Sequence, residues 1–596
     1  MTRDGSARRA RRFTEVLSGL PNWVSLTAGV LAVLVGAILV VRPLTSLTLL
    51  ALLIACAALV TGVGEVLGAR EHSAWDAVLA LGWIALGVLI LIASGPAIDL
   101  IAPVVAIALV VGGVLRLLRA RRGTTSARLV ALLLGIAEII LGIVALRWPD
   151  VTLLIVAVLF GIRTVAFGVS ILWDAVTGRR ATTSGAVEPA RSRWAASGRV
   201  LAAATALLIA VAAALTSAHL RSGTPRVDAF YTAPDEIPAA AGTLLRAEPF
   251  TRDVPGNARA WRILYTTTLD ADRPALASAI VLVPEREAAE PLPVIAWAHG
   301  TTGYARPCAP SLATHPFESG ALPALDQIVE SGWALVATDY TGLGTEGSHP
   351  YLIGQGEGRS VLDAVRAARQ LTDIRLADRT VVWGHSQGGH AALWAGLLAP
   401  GYAPEAGVIG VAAMAPASDA VGLVSRLPEI TGGSVFASYV VAAYTAHYPD
   451  VDFNAYIDPA ARTLVRQMSE RCLAEPGVLV SVLSALSLEK DRPIFATDPL
   501  SGALGVRLRE NIPAGALTVP VLLAQGAADT LVDPAVQSRY AAARCADGWN
   551  LDYRVYPGRD HIGVVAADSP LIPDLLGWTQ QRLSALPQQP ACPPLG

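Results

Sequence analysis

Three side chains able to pass one proton between them stand at separate points in the second half of the chain: Ser386, Asp529 and His561. A serine hydroxyl attacks a carbonyl only when a base removes its proton, and an imidazole does this best when a carboxylate fixes its tautomer. Ser386 sits in Gly384-His385-Ser386-Gln387-Gly388, between the β-branched run TVVW and the helix-forming AALWAGLLA. Strand, sharp turn, helix is the geometry that lifts a nucleophile clear of a sheet. Glycines flank it because a Cβ there would strike the neighbouring strand and helix. The helix that follows points its first amides back at the serine, ready for developing negative charge.

G-x-S-x-G arises by chance in a long chain, so the other pieces must carry the reading. The run VIAWA ends in His299-Gly300-Thr301-Thr302-Gly303, VLLAQ ends in Gly526-Ala527-Ala528-Asp529, and DYRVYPG is followed by Asp560-His561. Nucleophile, acid and base, each just after its own strand, is the chain order of an α/β-hydrolase. Ser386 would attack an ester carbonyl, His561 would carry the proton, and Asp529 would orient the imidazole. The main-chain amides of Gln387 and Thr301, with Thr302 the neighbouring alternative, would hold the oxyanion. Asp533 lies too far into its loop, and Asp552 precedes its strand. His299, His385 and His390 flank the nucleophile without following the last strand, and His315, His349 and His447 show no partner pattern; these read as structural. Neither H-E-x-x-H nor C-x-x-C spacing occurs, so no metal and no other cofactor is expected.

The elements that must hold these groups are short apolar strands alternating with helices from about residue 241: AIVLVPE, PVIAWAHG, ALVATDY, TVVWGHS, GVIGVAAM, VPVLLAQG and DYRVYPG. Continuously apolar strands with helical crossovers predict a mostly parallel sheet covered on both faces. Its functional groups belong at the strands' carboxyl ends.

The first third of the chain is different in kind. Mean hydropathy is +0.49 over 596 residues, and apolar stretches of bilayer-spanning length recur at about 23–41, 46–67, 75–93, 97–115, 128–146, 151–173 and 200–217. Residues 1–199 carry nineteen Arg against ten acids, and the remainder 27 basic against 38 acidic residues. With the amino terminus cytosolic, the inner loops collect sixteen Arg and the outer loops only Arg42 and Arg147. That asymmetry orients seven spans, and an odd number puts everything after residue 217 outside the cytoplasm. Neither charge pattern nor composition suggests nucleic acid as a partner.

The spans repeat. Gly29, Gly36, Pro43 and Gly62 recur as Gly135, Gly142, Pro149 and Gly168, each offset by 106 residues, with a weaker middle copy through Gly87, Pro96 and Gly113. Three hairpins are expected, each closing at its proline with glycines at the contact. Within the spans, Glu138 is expected to neutralise Arg163, and Glu65 to reach the interface. The stretches GVLAVLVGAILVVRP and GIAEIILGIVALRWP resemble the HdeD (DUF308) family of six-span membrane proteins.

The combination HGTTGYARPCAPS, DYTGLGTEG and GHSQGGHAALWA, with the later GAAD and DH, resembles the secretory lipase family that includes Candida antarctica lipase A. The resemblance implies a carboxylic ester hydrolase acting on acylglycerols or other lipidic esters, with the triad at Ser386, Asp529 and His561. It also implies a helical cap, here at about 420–512. Four cysteines lie outside the spans, Cys308, Cys472, Cys545 and Cys592. In an oxidising compartment they allow two disulfides in three connectivities, of which the resemblance implies Cys308–Cys472 and Cys545–Cys592.

The expected organisation is a basic cytosolic tail (1–20), a six-span domain (21–176), a cytosolic linker (177–198), a seventh, uncleaved span (199–218), a linker (219–240) and a hydrolase domain (241–592). The expected function is a membrane-anchored extracytoplasmic serine esterase or lipase, with a lipidic ester substrate and membrane lipids as its surroundings. An acyltransferase of the same fold is one alternative. A stress-response membrane protein with a non-catalytic hydrolase appendage is another.

Overall fold

The computed structural model describes residues 22–68, 74–120, 124–177, 193–269, 273–285, 289–491 and 493–593. The expected basic tail, most of the linker before the last apolar helix, and the side chain of Glu65 lie outside the described residues. The chain divides into two compact units. One holds the residues up to Leu220 together with Asp458–Leu464 and Leu486–Pro493, and the other holds the remainder.

Seven apolar helices open the chain: α1 (Asn22–Val41), α2 (Pro43–Gly68), α3 (Ala74–Ile92), α4 (Ser94–Arg119), α5 (Thr125–Arg147), α6 (Pro149–Thr177) and α7 (Arg193–Ser222). Among the described residues, six are long and apolar enough to cross a bilayer. The exception is α3, whose apolar stretch is Ala80–Ile92. Many of their large side chains face outward, as with Val60 at 73% and Ile92 at 80% exposure, while Leu44, Leu47 and Leu153 are buried. Solvation by lipid permits that arrangement.

The close pairs are not the hairpins expected from the repeat. A Cβ on Gly36 would lie 2.6 Å from the Val165 nitrogen and 2.9 Å from the Gly161 oxygen, so α1 packs backbone to backbone on α6. Gly62 of α2 meets Ala80 and Ile84 of α3, and Gly113 of α4 meets Gly135 of α5. Each copy's second helix thus packs on the next copy's first, and the third copy returns to the first, closing a ring. The reason is the length of the links. One residue separates α1 from α2, α3 from α4 and α5 from α6, fewer than the roughly two to five residues that usually join an antiparallel helix pair. The ion pair follows the same pairing. Glu138 accepts from Arg116 of α4 at 2.8 Å and not from Arg163, which is exposed on α6.

The second unit is built on a nine-stranded sheet in the order β1-β2-β3-β5-β4-β6-β7-β8-β9. The strands are β1 (Leu244–Phe250), β2 (Ala258–Thr268), β3 (Pro274–Pro284), β4 (Leu292–Ala298), β5 (Ala334–Thr338), β6 (Leu376–His385), β7 (Val408–Met414), β8 (Val521–Gly526) and β9 (Leu551–Tyr556). The six from β5 to β9 are parallel, and β1, β2 and β3 form an antiparallel edge. The two-residue alternation of a strand divides β6 between both cores: Val382 packs on one face, Val381 and Trp383 on the other. Helices α8 (Gly354–Ala368) and α9 (Gln387–Tyr402) contribute to the first core, and Leu571–Leu583 to the second. Between β7 and β8 the chain is helical, including Gly433–His447 and Val478–Asp491. Disulfides join Cys308 to Cys472 and Cys545 to Cys592, the pairing the lipase resemblance implies.

Candidate active site

β6 delivers Ser386 into a turn with φ 57° and ψ −120°, a strained conformation for a residue with a Cβ. Neighbouring glycines make room for it. A Cβ on Gly384 would strike the Gly388 carbonyl, and one on Gly388 would strike the Ala298 carbonyl of β4. The Ser386 carbonyl accepts from Gly389 at 3.0 Å and His390 at 3.2 Å, which starts α9. The amide of Gln387, first in α9, has no intrahelical acceptor and is left to donate elsewhere.

The parallel strands bring the other two groups to the same edge. His561, five residues past β9, places Nε2 2.8 Å from Ser386 Oγ and Nδ1 2.8 Å from Asp529 Oδ2, three residues past β8. A carboxylate only accepts, so Nδ1 carries the hydrogen and Nε2 offers its lone pair to the serine. Asp529 is itself held at four points. Oδ1 accepts from the amides of Leu531 (2.9 Å) and Val532 (2.8 Å), and Oδ2 from Gln525 Nε2 (2.9 Å) as well as His561. Burial pushes the Asp529 carboxyl up, but His561 and these donors outweigh it and hold it below the usual range. It is therefore a carboxylate at neutral pH.

The remaining sequence candidates fall into place around this chain. Thr301, one turn past β4, hydrogen-bonds Tyr351 through its hydroxyl at 3.0 Å. Thr302 donates its hydroxyl to the Cys308 carbonyl at 2.7 Å, beside the Cys308–Cys472 disulfide. Asp533 caps the helix Pro534–Ala546 and pairs with Arg426, and Asp552 pairs with Arg554. His385 donates Nε2–H to the His561 carbonyl at 2.8 Å, supporting the loop that carries the base. Burial lowers the pKa of His385 to about 3, of His349 to about 3 and of His299 to about 4, so all three stay neutral and none competes for the serine's proton. His315 pairs with Asp253 on the surface, and His447 lies on a cap helix. Among the described residues, no group of three metal-ligating side chains gathers.

Residues not singled out from the sequence also stand here. Glu357 is fully buried behind the nucleophile and contacts Gln387 and His390, and His349 reaches Gln387 as well. Nothing local in GQGEGRS marks its glutamate as buried, because its partners come from other segments.

Sheet order, elbow and hydrogen-bonded Ser-His-Asp groups define the carboxy-terminal unit as an α/β-hydrolase. Residues 322–590 match the secretory lipase family, and residues 27–92, 78–144 and 133–218 match a short repeat of unknown function, DUF308. The chain thus joins a lipase-family hydrolase domain to a DUF308 membrane domain. It is 26% identical over 389 residues to Lipase A of Moesziomyces aphidis, covering 61% of this chain and 82% of that one. It is also 26% identical over 387 residues to the probable inactive lipase MT1628 of Mycobacterium tuberculosis (strain CDC 1551 / Oshkosh), covering 61% and 83%. The crystal structure of Candida antarctica lipase A shares the fold, with a TM-score of 0.52 at 21% identity, over 62% of this chain and 89% of that one.

Proposed function

We propose that the protein is a membrane-anchored serine ester hydrolase that cleaves acylglycerols or other lipidic esters on the extracytoplasmic side of the cell membrane. The observation that carries this is the unbroken hydrogen-bond chain Asp529–His561–Ser386 on a strained elbow. Ser386 Oγ adds to the ester carbonyl while His561 Nε2 takes its proton; Asp529 stabilises the imidazolium. The main-chain N–H groups of Gln387 and Thr301 receive the oxyanion, each worth about 3–4 kcal/mol in comparable sites. The tetrahedral adduct collapses, His561 returns the proton to the leaving alcohol, and water repeats the cycle on the acyl-enzyme.

A lipidic substrate is supported by the lipase family match and by apolar surface close at hand. Ile562, next to the base, is 59% exposed. Sidedness is supported by the arginine distribution. α3, though short, lies antiparallel along α2 and counts as a crossing, which keeps the total odd.

The test is a membrane-impermeant fluorophosphonate applied to intact cells, paired with tributyrin hydrolysis. Labelling without permeabilisation, lost together with hydrolysis in Ser386→Ala, is expected. Labelling that needs permeabilisation would overturn the sidedness, and activity surviving Ser386→Ala would overturn the mechanism.

A further inference from the structure

Behind the elbow, one buried carboxylate touches the supports of both oxyanion donors. Glu357, in the first turn of α8, is 0% exposed. Its Oε1 accepts from the side-chain Nε2 of Gln387 at 2.8 Å and from the amide of Leu352 at 3.0 Å. Its Oε2 lies 2.8 Å from His390 Nδ1, one turn into α9. On one side it therefore reaches the residue whose main-chain N–H faces the oxyanion. On the other it fixes Leu352, which has φ 54°, next to Tyr351, whose hydroxyl is 3.0 Å from Thr301 Oγ1.

The proton inventory leaves Gln387 no freedom. His349 Nδ1 faces the Thr341 carbonyl at 3.1 Å, an acceptor, so the hydrogen of this neutral ring is on Nδ1 and Nε2 is bare. The Gln387 amide gives one hydrogen to that Nε2 at 2.8 Å and the other to Glu357. His390 Nδ1 lies 2.8 Å from Glu357 Oε2, and its Nε2 lies 2.8 Å from the Asn511 carbonyl and 3.1 Å from the Trp394 indole N–H, which donates to it. The Nδ1 contact ties the first turn of α9 to α8.

Packing alone gives a weak account of this cluster. Burial pushes the Glu357 carboxyl up against the pull of His390 and Gln387, and buried polar clusters of this kind are costly for stability while being strong at fixing geometry. We propose that Glu357 is a positioning residue for oxyanion stabilisation: with His349 it clamps the Gln387 side chain, and through Leu352 it braces the Tyr351–Thr301 contact. This rests on the serine hydrolase reading above.

The full-length protein in detergent tests it through Glu357→Gln and, separately, Gln387→Ala, which keeps the main-chain N–H and removes only the clamped amide. Loss of one oxyanion donor costs about 10²–10³-fold in kcat, so loosening one should cost roughly 10–100-fold. The expected result is that fall in kcat for p-nitrophenyl butyrate with KM within about twofold. Affinity for a trifluoromethyl ketone, which mimics the oxyanion adduct, should weaken by the same factor as kcat/KM, and the double variant should be little worse than either single one. Unchanged kcat in Gln387→Ala, ketone affinity that does not follow kcat/KM, or losses that multiply in the double variant would each overturn the positioning role. Wild-type protein with no Ser386-dependent hydrolysis would instead overturn the enzyme reading, and the positioning role with it.

Discussion

The two units solve the same packing problem in opposite solvents. In α1–α7 many large side chains are outside and glycine is at the closest contacts; in the hydrolase unit Trp383 and Tyr340 are fully buried. Lipid tails are as apolar as leucine, so nothing expels side chains from lipid into a helix contact, and close backbone approach must hold the bundle. In water, burial of apolar strands holds the sheet and leaves its carboxyl edge free for polar groups. The consequence is two kinds of fragility. One unit should fail when a polar atom is removed, the other when a methyl is added.

The largest expected effect belongs to the polar side of that contrast. Ser386→Ala should lower kcat by about 10⁶-fold with the unfolding temperature unchanged, measured by ester hydrolysis and thermal denaturation. Asp529→Asn should cost about 10⁴-fold, because the amide allows the wrong imidazole tautomer at His561. Equal activity in that variant would mean the acid lies elsewhere.

Buried histidines give the hydrolase unit a pH signature. For His385 the unfolded side chain takes up a proton below about 6.5, whereas the folded one refuses it until about 3. Stability is therefore complete above pH 6.5 and falls as pH drops through that window. At pH 5 the loss should be about 2 kcal/mol from this residue, and His385→Gln should flatten the dependence of the urea midpoint on pH.

For the bundle, Gly36→Val would drive a side chain into the Val165 backbone, which cannot swing away. It should cost about 1–3 kcal/mol in detergent and leave kcat alone. Gly82→Val meets nothing within 4 Å and should change stability by less than about 0.5 kcal/mol. Equal effects at the two glycines would break the comparison.

How much of this was legible depends on whether a structural demand leaves a local mark. The elbow does, because sterics require Gly384 and Gly388. Strands β4, β5, β7 and β8 do, because burial on both faces makes them continuously apolar. β1 and β2 do not: Arg246, Glu248, Arg259 and Arg262 interrupt them, since this antiparallel edge turns part of itself to water and pairs Arg262 with Glu248 and Asp228. The glycine offset of 106 residues revealed repetition but not which helices touch, because link length decides that. Glu357 stayed hidden for a related reason: its side chain meets Gln387 and His390, 30 and 33 residues further along the chain.

Ring closure in the bundle makes the position of its chain ends incidental. Because α1 runs antiparallel against α6, with Gly29 opposite Leu172 and Gly36 opposite Val165, Asn22 and Thr177 share one end of adjacent helices. In a six-helix domain ending at Thr177, a short peptide could join them and the chain could be reopened between α2 and α3, giving a circular permutant with the same contacts in a different order.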